Sequence, residues 1–287
     1  MSFVSTGFTR PFSPDGTASV LPEPPYDFAI QATMVHFRTD PEALAQLVPP
    51  PLKPLQARAG EAFWLVIDHM MSPVNVSGAD WHPERRRMLE ATIGIPVELD
   101  GAPGVYYSHS WTDREWSFLM EALTGINGKL ARIAITEGQR MHPVWSGPRA
   151  GAVFDSTVER LGTRVAGSRV TLEERITPAE SPTAELFNIF MLRHVPNFEI
   201  AAAGRPLAYD LVTERDENVV FGDVWRGTGE LTFHDAENEW LTPIAPVETI
   251  AGYHLEVSFR LMGIEVVKDL LPDWDAAQAS QAQQARP

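Results

Sequence analysis

The sequence predicts a β-rich α+β protein whose strands are mainly antiparallel, in a barrel-like or sandwich-like arrangement. Many short apolar or alternating segments are separated by turn residues, and few segments have apolar residues at helical spacing. The strand–helix–strand alternation that is typical of parallel sheets is absent. With 287 residues, the chain is long enough to bury a sizeable core.

The ends of the chain differ in composition from its middle. Residues 1–25 are rich in Pro, Ser, Gly and Thr, so we expect an irregular arm there. Residues 26–274 are expected to form a single domain. The tail, residues 275–287, ends in the low-complexity run QASQAQQARP and is expected to be disordered.

Strands are predicted where apolar or alternating runs lie between turn residues. These runs cover residues 28–37, 62–69, 90–99, 105–111, 129–135, 152–159, 164–174, 198–203, 207–214, 219–225, 229–234 and 250–261. Runs 152–159 and 164–174 are expected to form a hairpin. A short helix is predicted over residues 41–47, with a cap before it and Pro41 in its first turn, and a closing helix is predicted over residues 265–271.

A central helix is predicted directly after the strand that ends at Trp111. Thr112 and Glu115 have the spacing of a capping box, and Trp116 and Met120 recur on one face. Gly125 is a natural C-cap for this helix.

Composition excludes several classes of protein. There is no cysteine, which excludes disulfides and thiolate sites and fits a reducing compartment. The net charge of −15 argues against nucleic acid and anionic membranes as partners. No apolar run reaches the length of a membrane span, and the N-terminus lacks the pattern of a signal peptide. We therefore expect a cytoplasmic protein.

One lysine follows the central helix in an unusual setting. The turn dipeptide Asn127-Gly128 leads into the predicted strand, in which Lys129 shares a face with Ala131 and Ile133. The chain has only three lysines, at positions 53, 129 and 268. Lys129 is therefore either a strand end whose ammonium reaches water or a catalytic amine.

The remaining candidate residues suit one kind of chemistry. No glycine-rich phosphate loop or HExxH motif is present, and the eight histidines lack metal-ligand spacing. Lys129 is accompanied by the carboxylates Asp68 and Glu90 and by Arg38 at a strand end. Such a set suits Schiff-base chemistry on a keto acid, in which the amine attacks the ketone, the arginine holds the carboxylate and the acids move protons.

Five segments in order resemble the acetoacetate decarboxylase superfamily. They are FRTDPEALAQLVPPPL, LEATIGIPV, the stretch from WTDREW to NGKLA, RHVPNFEI and GDVWRGTGELTF, which begin at residues 37, 89, 111, 193 and 222. The third of these resembles the block that carries the Schiff-base lysine of the family. Together the five segments extend over most of the chain.

The resemblance implies roles for individual residues. Lys129 matches the Schiff-base lysine, Arg38 the arginine that binds the substrate carboxylate, and Glu90 a catalytic glutamate. Asp68 lies near a second acidic position of the family. Asn127 and Trp111 are predicted to line the substrate site, although Trp111 is also a natural core residue.

Two departures from the family pattern bear on the chemistry. Leu130 stands where the decarboxylases have a second lysine, and Met120-Glu121-Ala122-Leu123 replaces a glycine-arginine-glutamate run. Because free lysine has a pKa near 10.4, a nucleophilic amine here would depend mainly on its apolar surroundings.

The resemblance also implies a fold, a reaction class and an assembly. The expected fold is a closed, cone-like antiparallel barrel around the pocket with a few flanking helices, in a homo-oligomer. The expected substrate is a small keto acid, either decarboxylated or condensed with an aldehyde by an aldolase–dehydratase route. No metal or organic cofactor is expected, since the lysine iminium is the electron sink. The alternative is a non-catalytic pocket that binds a small apolar carboxylic acid.

Overall fold

Twelve strands of the computed structural model join in one sheet over the residues that it describes, which are 6–76, 81–139, 141–184, 186, 188–202 and 204–284. The strands are β1 (Tyr26–Arg38), β2 (Lys53–Pro54), β3 (Glu61–Pro73), β4 (Arg87–Leu99), β5 (Ala102–Thr112), β6 (Gly128–Leu130), β7 (Arg132–Ile135), β8 (Val153–Arg160), β9 (Thr163–Ile176), β10 (Asn188–Val195), β11 (Ala208–Phe233) and β12 (Glu248–Asp269). The helices are α1 (Pro41–Ala45), α2 (Glu115–Thr124) and α3 (Leu271–Gln284). Short 3-10 turns lie at Gln56–Arg58, Pro83–Arg85, Pro178–Glu180, Ile200–Ala202 and Thr242–Ile244.

Seven of the strands close into a ring. The sheet order is β10-β5-β4-β3-β1-β12-β11-β9-β8-β7, and β10 also pairs with β11. Because β10 pairs with β5 on one side and with β11 on the other, it closes the seven strands into a ring without a free edge. Strands β9, β8 and β7 continue from β11 as an extension. Apart from the parallel pairs β10–β5 and β5–β6, the pairing is antiparallel, which confirms the predicted β-rich fold with few helices.

Both faces of the ring are covered, which explains why β4 is buried almost throughout. Ala91, Ile93 and Ile95 belong to the largest core cluster, which also takes in apolar residues of β7, β8 and β9. Glu90 and Thr92 alternate with them and point to the opposite face. The large core cluster therefore lies between the ring and its extension, and Glu90 points away from it.

The predicted helix starts are confirmed for α1 and wrong for α2. The Asp40 side chain accepts hydrogen bonds from the first turn of α1. Thr112, predicted to cap α2, is the last residue of β5, and its hydroxyl donates to Ser117 Oγ at 2.8 Å. Arg114 occupies the N-cap of α2 without a side-chain cap. Gly125 ends the helix as predicted, with a φ of 93°.

The hairpin is confirmed as β8–β9, but the strand pattern after residue 198 differs from the prediction. The predicted strands 207–214, 219–225 and 229–234 are parts of the single 26-residue strand β11, whose pairing with β12 shifts register at four points. Gly227 is not a turn residue, because a Cβ there would lie 1.9 Å from the Thr171 oxygen of the neighbouring strand. Close approach of two backbones requires this glycine.

The remaining differences lie near residue 200 and at the C-terminus. Residues 200–202 form a 3-10 turn in place of the predicted strand 198–203, whose last residue is outside the described residues. The helix predicted over 265–271 is the end of strand β12, and α3 extends through residue 284 of the tail predicted to be disordered. Residues 1–5 of the predicted arm and 285–287 of the tail are outside the described residues.

Candidate active site

The turn after α2 delivers Lys129 to the core side of the sheet. Strand β6 pairs in parallel with β5, and Lys129 lies opposite Trp111. Trp111 is fully buried in the large core cluster, so Lys129 faces the same layer between the ring and its extension. Gly128 faces the other way, where a Cβ would lie 1.5 Å from Glu121 Oε2. The sequence Gly128-Lys129 therefore fixes which face receives the amine.

Glu239 binds the Lys129 amine. Nζ of Lys129 donates to Glu239 Oε2 at 2.9 Å and to the backbone oxygen of Asn238. The Glu239 carboxylate also accepts from Trp111 Nε1 at 2.9 Å and from a guanidinium NH1 of Arg160 at 3.1 Å. Glu239 is 1% exposed, whereas the Lys129 side chain is 31% exposed. A buried carboxylate thus holds an amine that a small molecule can reach.

The loop that carries Glu239 has a strained backbone. Trp240 has a φ of 50°, in the left-handed region that bulky residues rarely adopt, and Asn238, whose residue type adopts this region more readily, has a φ of 64°. The Asn238 oxygen and the Glu239 carboxylate of this loop both contact Lys129. Glu239 and Arg160 are the functional candidates that sequence reasoning missed, because Glu239 lies in the polar, non-periodic run HDAENEW.

His109 completes the surroundings of the amine. Its ring stacks on Trp111, with centroids 6.0 Å apart and planes inclined by 16°. Burial, followed by the positive charge of Lys129, lowers the pKa of His109 to about 4. His109 is therefore neutral at pH 7 and presents an uncharged imidazole beside the lysine.

Glu90 lies on the opposite face of the sheet from Lys129. Ala91 pairs with Trp111, and Glu90 pairs with Thr112. Because successive residues of a strand point to opposite faces, Glu90 and Thr112 point away from the layer that holds Trp111 and Lys129. Glu90 is 4% exposed, and it accepts a hydrogen bond of 3.1 Å from Ser110 Oγ. The predicted grouping of Glu90 with Lys129 is therefore not found.

Asp68 and Arg38 are also placed apart from Lys129. Asp68 accepts two hydrogen bonds from Arg87, of 2.8 and 2.9 Å, and Arg87 in turn lies 2.8 Å from Glu137. Arg38 is half exposed and bonds Glu248 at 2.7 Å rather than Glu90 or Asp68. The structure thus does not bring the predicted acids and arginine together.

The two predicted substrate-lining residues have different surroundings. Asn127 is exposed, and its amide reaches the Tyr106 hydroxyl at 3.4 Å. Trp111 occupies a core position, where its indole N–H bonds the carboxylate that holds Lys129. Trp111 therefore fixes the lysine's partner from inside the core.

Neither a metal-ion cluster nor a membrane-spanning helix is found among the described residues. No group of three or more His, Asp or Glu side chains in the described ranges has an arrangement that would hold a metal ion. In the same part of the chain, no helix has the length and apolar character that crossing a membrane requires.

Fold and site together define a closed β-ring protein with a carboxylate-bound lysine in its outer layer. The chain belongs to the acetoacetate decarboxylase family, since the family model described as "Acetoacetate decarboxylase (ADC)" matches residues 9–271. This confirms the resemblance found in the sequence.

Similar proteins and structures agree with this family. The acetoacetate decarboxylase of Clostridium botulinum is 24% identical over 276 residues, which cover 94% of this chain and 98% of that protein. The acetoacetate decarboxylase of Streptomyces nogalater is 26% identical over 88% of this chain and 93% of its own length. The enduracididine biosynthesis enzyme MppR, complexed with the condensation product of pyruvate and imidazole 4-carboxaldehyde, is 25% identical with a TM-score of 0.82, covering 93% and 98% of the two chains. An acetoacetate decarboxylase-like enzyme from Sphingomonas wittichii RW1 is 24% identical, with a TM-score of 0.84 and coverage of 92% and 100%.

Proposed function

We propose that this protein is a Schiff-base-forming lyase that acts on a small keto acid, with Lys129 as the nucleophile. Membership of the acetoacetate decarboxylase family supports lyase chemistry of this class. The observation that carries the proposal is the contact of 2.9 Å between the accessible Lys129 amine and the buried Glu239 carboxylate. A lysine held by a buried acid has its proton acceptor already in place.

The residues around Lys129 fit the steps of imine formation. The Lys129 ammonium gives a proton to Glu239, and the free amine attacks the keto carbon. Glu239 then returns the proton to the carbinolamine oxygen. The nitrogen supplies a second proton as its bond to carbon becomes double, so the oxygen leaves as water and a protonated imine remains. Arg160, 24% exposed and already on Glu239, is placed to bind the substrate carboxylate as a fork of two donors. The neutral His109 ring lies at the edge of the site and adds no charge to it.

Two reactions share this imine. In a β-keto acid, the bond to the carboxylate breaks, its electrons flow into the imine, and carbon dioxide leaves. In pyruvate, the methyl group loses a proton to Glu239, and the enamine adds to an aldehyde, with water lost afterwards. The family name points to the first reaction, and the condensation product held by MppR points to the second.

The roles predicted for Glu90, Asp68 and Arg38 remain predictions. The proposal assigns the role of the acid to Glu239, which contacts the Lys129 amine, and the role of the cation to Arg160, which contacts Glu239. The proposal also retains a cytoplasmic homo-oligomer and a reaction without metal or organic cofactor.

Proton NMR separates the two reactions in one set of samples. Enamine formation exchanges the methyl protons of pyruvate for deuterium in D₂O, whereas decarboxylation converts acetoacetate to acetone. We expect one of these signals with the wild type and with Lys53→Ala, which changes an exposed lysine. Lys129→Ala should abolish the signal while retaining its melting transition. A folded Lys129→Ala variant with wild-type turnover would contradict the proposal.

A further inference from the structure

A cleft of about 510 Å³ lies between the outer face of the ring and strands β7 and β8 of its extension. Residues of β1, β3, β4 and β12 line its ring side. Phe154 of β8, Ile135 at the end of β7 and the segments 136–138 and 146–148 line the opposite side. A cleft of this size between two layers can hold a small organic molecule.

The cleft lies on the same face of the sheet as Lys129 but far from it. The two are joined by a row of directly paired residues on neighbouring strands, which is His254, Thr33, Val66, Ala91, Trp111 and Lys129. Directly paired residues share a face of the sheet. Five strand spacings, or about 24 Å along the sheet, therefore separate His254 in the cleft from Lys129. Residues of the large core cluster occupy the row between them, so the cleft is not part of the Lys129 site.

A buried histidine without a hydrogen-bond partner forms part of the cleft. His254 lines it, is 2% exposed, and its Nδ1 makes no hydrogen bond within the described part of the chain. The Phe154 ring lies beside the imidazole, with ring centroids 4.8 Å apart. Burial lowers the pKa of His254 to about 4, so the ring is uncharged at pH 7. A buried polar nitrogen needs a partner, and a molecule in the cleft can supply it.

The charged residues that line the cleft are already paired. Arg87 donates two hydrogen bonds to Asp68, of 2.8 and 2.9 Å, and also lies 2.8 Å from Glu137. Asp155 accepts two hydrogen bonds from Arg169, of 2.7 and 3.3 Å. A charged ligand would compete with these ion pairs, whereas an uncharged ligand leaves them in place. The cleft therefore favours an uncharged molecule.

The rest of the lining favours an aromatic ring that carries a hydroxyl group. Val66, Met70, Ile135 and Phe154 line the cleft with apolar surface. An aromatic ring packs well against a phenylalanine ring and against a methionine thioether. A hydroxyl both donates and accepts hydrogen bonds, so it satisfies the His254 nitrogen in either tautomer.

We propose that this cleft binds an uncharged hydroxyaromatic molecule, whose ring lies against Phe154 and whose hydroxyl bonds Nδ1 of His254. Neither Lys129 nor Glu239 takes part in this site. The binding of such a molecule therefore stands or falls independently of the proposed lyase activity.

Equilibrium dialysis of the full chain at pH 7 tests the proposal with three bicyclic probes of similar shape. 2-Naphthol carries the hydroxyl, naphthalene lacks it, and 2-naphthoate carries a negative charge in its place. We expect 2-naphthol to bind about fivefold more tightly than naphthalene, since the hydroxyl adds one hydrogen bond inside the protein. 2-Naphthoate should bind at least about tenfold more weakly than 2-naphthol, because it competes with the ion pairs of the cleft.

The variant His254→Phe keeps an aromatic ring and removes both ring nitrogens. It should weaken 2-naphthol by about fivefold and leave the affinity for naphthalene unchanged, so that the preference for the hydroxyl is lost. The control His234→Phe makes the same change at an exposed histidine and should leave both affinities unchanged.

Methyl NMR of the wild type locates the bound molecule without relying on a variant. 2-Naphthol should shift the methyl signals of Ile135, which lines the cleft, and leave those of Ile244, which is buried elsewhere in the core. Four results would overturn the proposal: no binding of 2-naphthol, equally tight binding of 2-naphthoate, a hydroxyl preference that persists in folded His254→Phe, or unmoved Ile135 signals at saturation.

Discussion

Replacing Glu239 by alanine perturbs the Lys129 site at its most buried residue. Glu239 is 1% exposed and accepts hydrogen bonds from Lys129, Arg160 and Trp111, two of which are cations. Bonds to charged groups contribute about 1.5–3 kcal/mol each, and removal of one partner from a buried ion pair typically costs about 3–5 kcal/mol. Because Lys129 and Arg160 keep partial access to water, we expect Glu239→Ala to lower the free energy of unfolding by about 3 kcal/mol, at the bottom of that range.

Urea unfolding followed by circular dichroism measures this loss. Glu248→Ala is the matched control, since Glu248 pairs with Arg38 through side chains that are 55% and 49% exposed. Exposed pairs contribute about 0–1 kcal/mol, so the control should change the free energy of unfolding by less than about 1 kcal/mol. A loss below about 1 kcal/mol for Glu239→Ala would refute the reasoning, because the three bonds would then contribute no more than an exposed pair.

Two further predictions concern the ring interior. Gly128→Ala places a Cβ 1.5 Å from Glu121 Oε2 and should lower the free energy of unfolding by about 1–3 kcal/mol in the same assay. The control Gly167→Ala should lower it by less, because the nearest atom to its Cβ is 3.9 Å away. Equal losses would show that the Glu121 side chain moves aside without cost. Burial raises the pKa of Glu214 from 4.5 to about 8, so the folded chain holds a proton that the unfolded chain releases between these pH values. Stability should therefore be greatest below pH 4.5 as far as this group is concerned and should fall as pH rises towards 8, by up to about 1.4 kcal/mol per pH unit. Glu214→Gln should reduce that slope relative to the wild type and to Glu173→Gln, which changes an exposed residue. An unchanged slope would contradict the raised pKa of Glu214.

The sequence was sufficient to predict the fold class and most strands of the first half. The strands found as β1, β3, β4 and β5 are each bounded by turn residues or prolines, so local pattern was enough to locate them. In the second half, a break between two strands is predicted from residue 225 to residue 229, although Gly227 in that segment lies within one strand and allows close contact between two backbones. Local pattern does not distinguish these uses of glycine, since the distinction depends on which strand lies alongside.

The site was predictable only in part for a similar reason. Lys129 was singled out by its position after a turn on an apolar row, but its face relative to Glu90 follows from the parallel pairing of β6 with β5. Glu239 lies 110 residues beyond Lys129, in a polar loop without apolar periodicity. Contacts between distant segments are set by tertiary pairing, which no local period encodes.

The most direct test of the central claim is to locate the imine itself. The full-length protein is reduced with sodium borohydride in the presence of pyruvate and, separately, of acetoacetate, then digested and mapped by mass spectrometry. With only three lysines in the chain, at positions 53, 129 and 268, the modified residue is assigned without ambiguity. We predict one reduced adduct, on Lys129, whose mass separates retained pyruvate from acetone left by decarboxylation. A reduced adduct on another amine, or none with either acid, would contradict the assignment of Lys129 as the Schiff-base lysine.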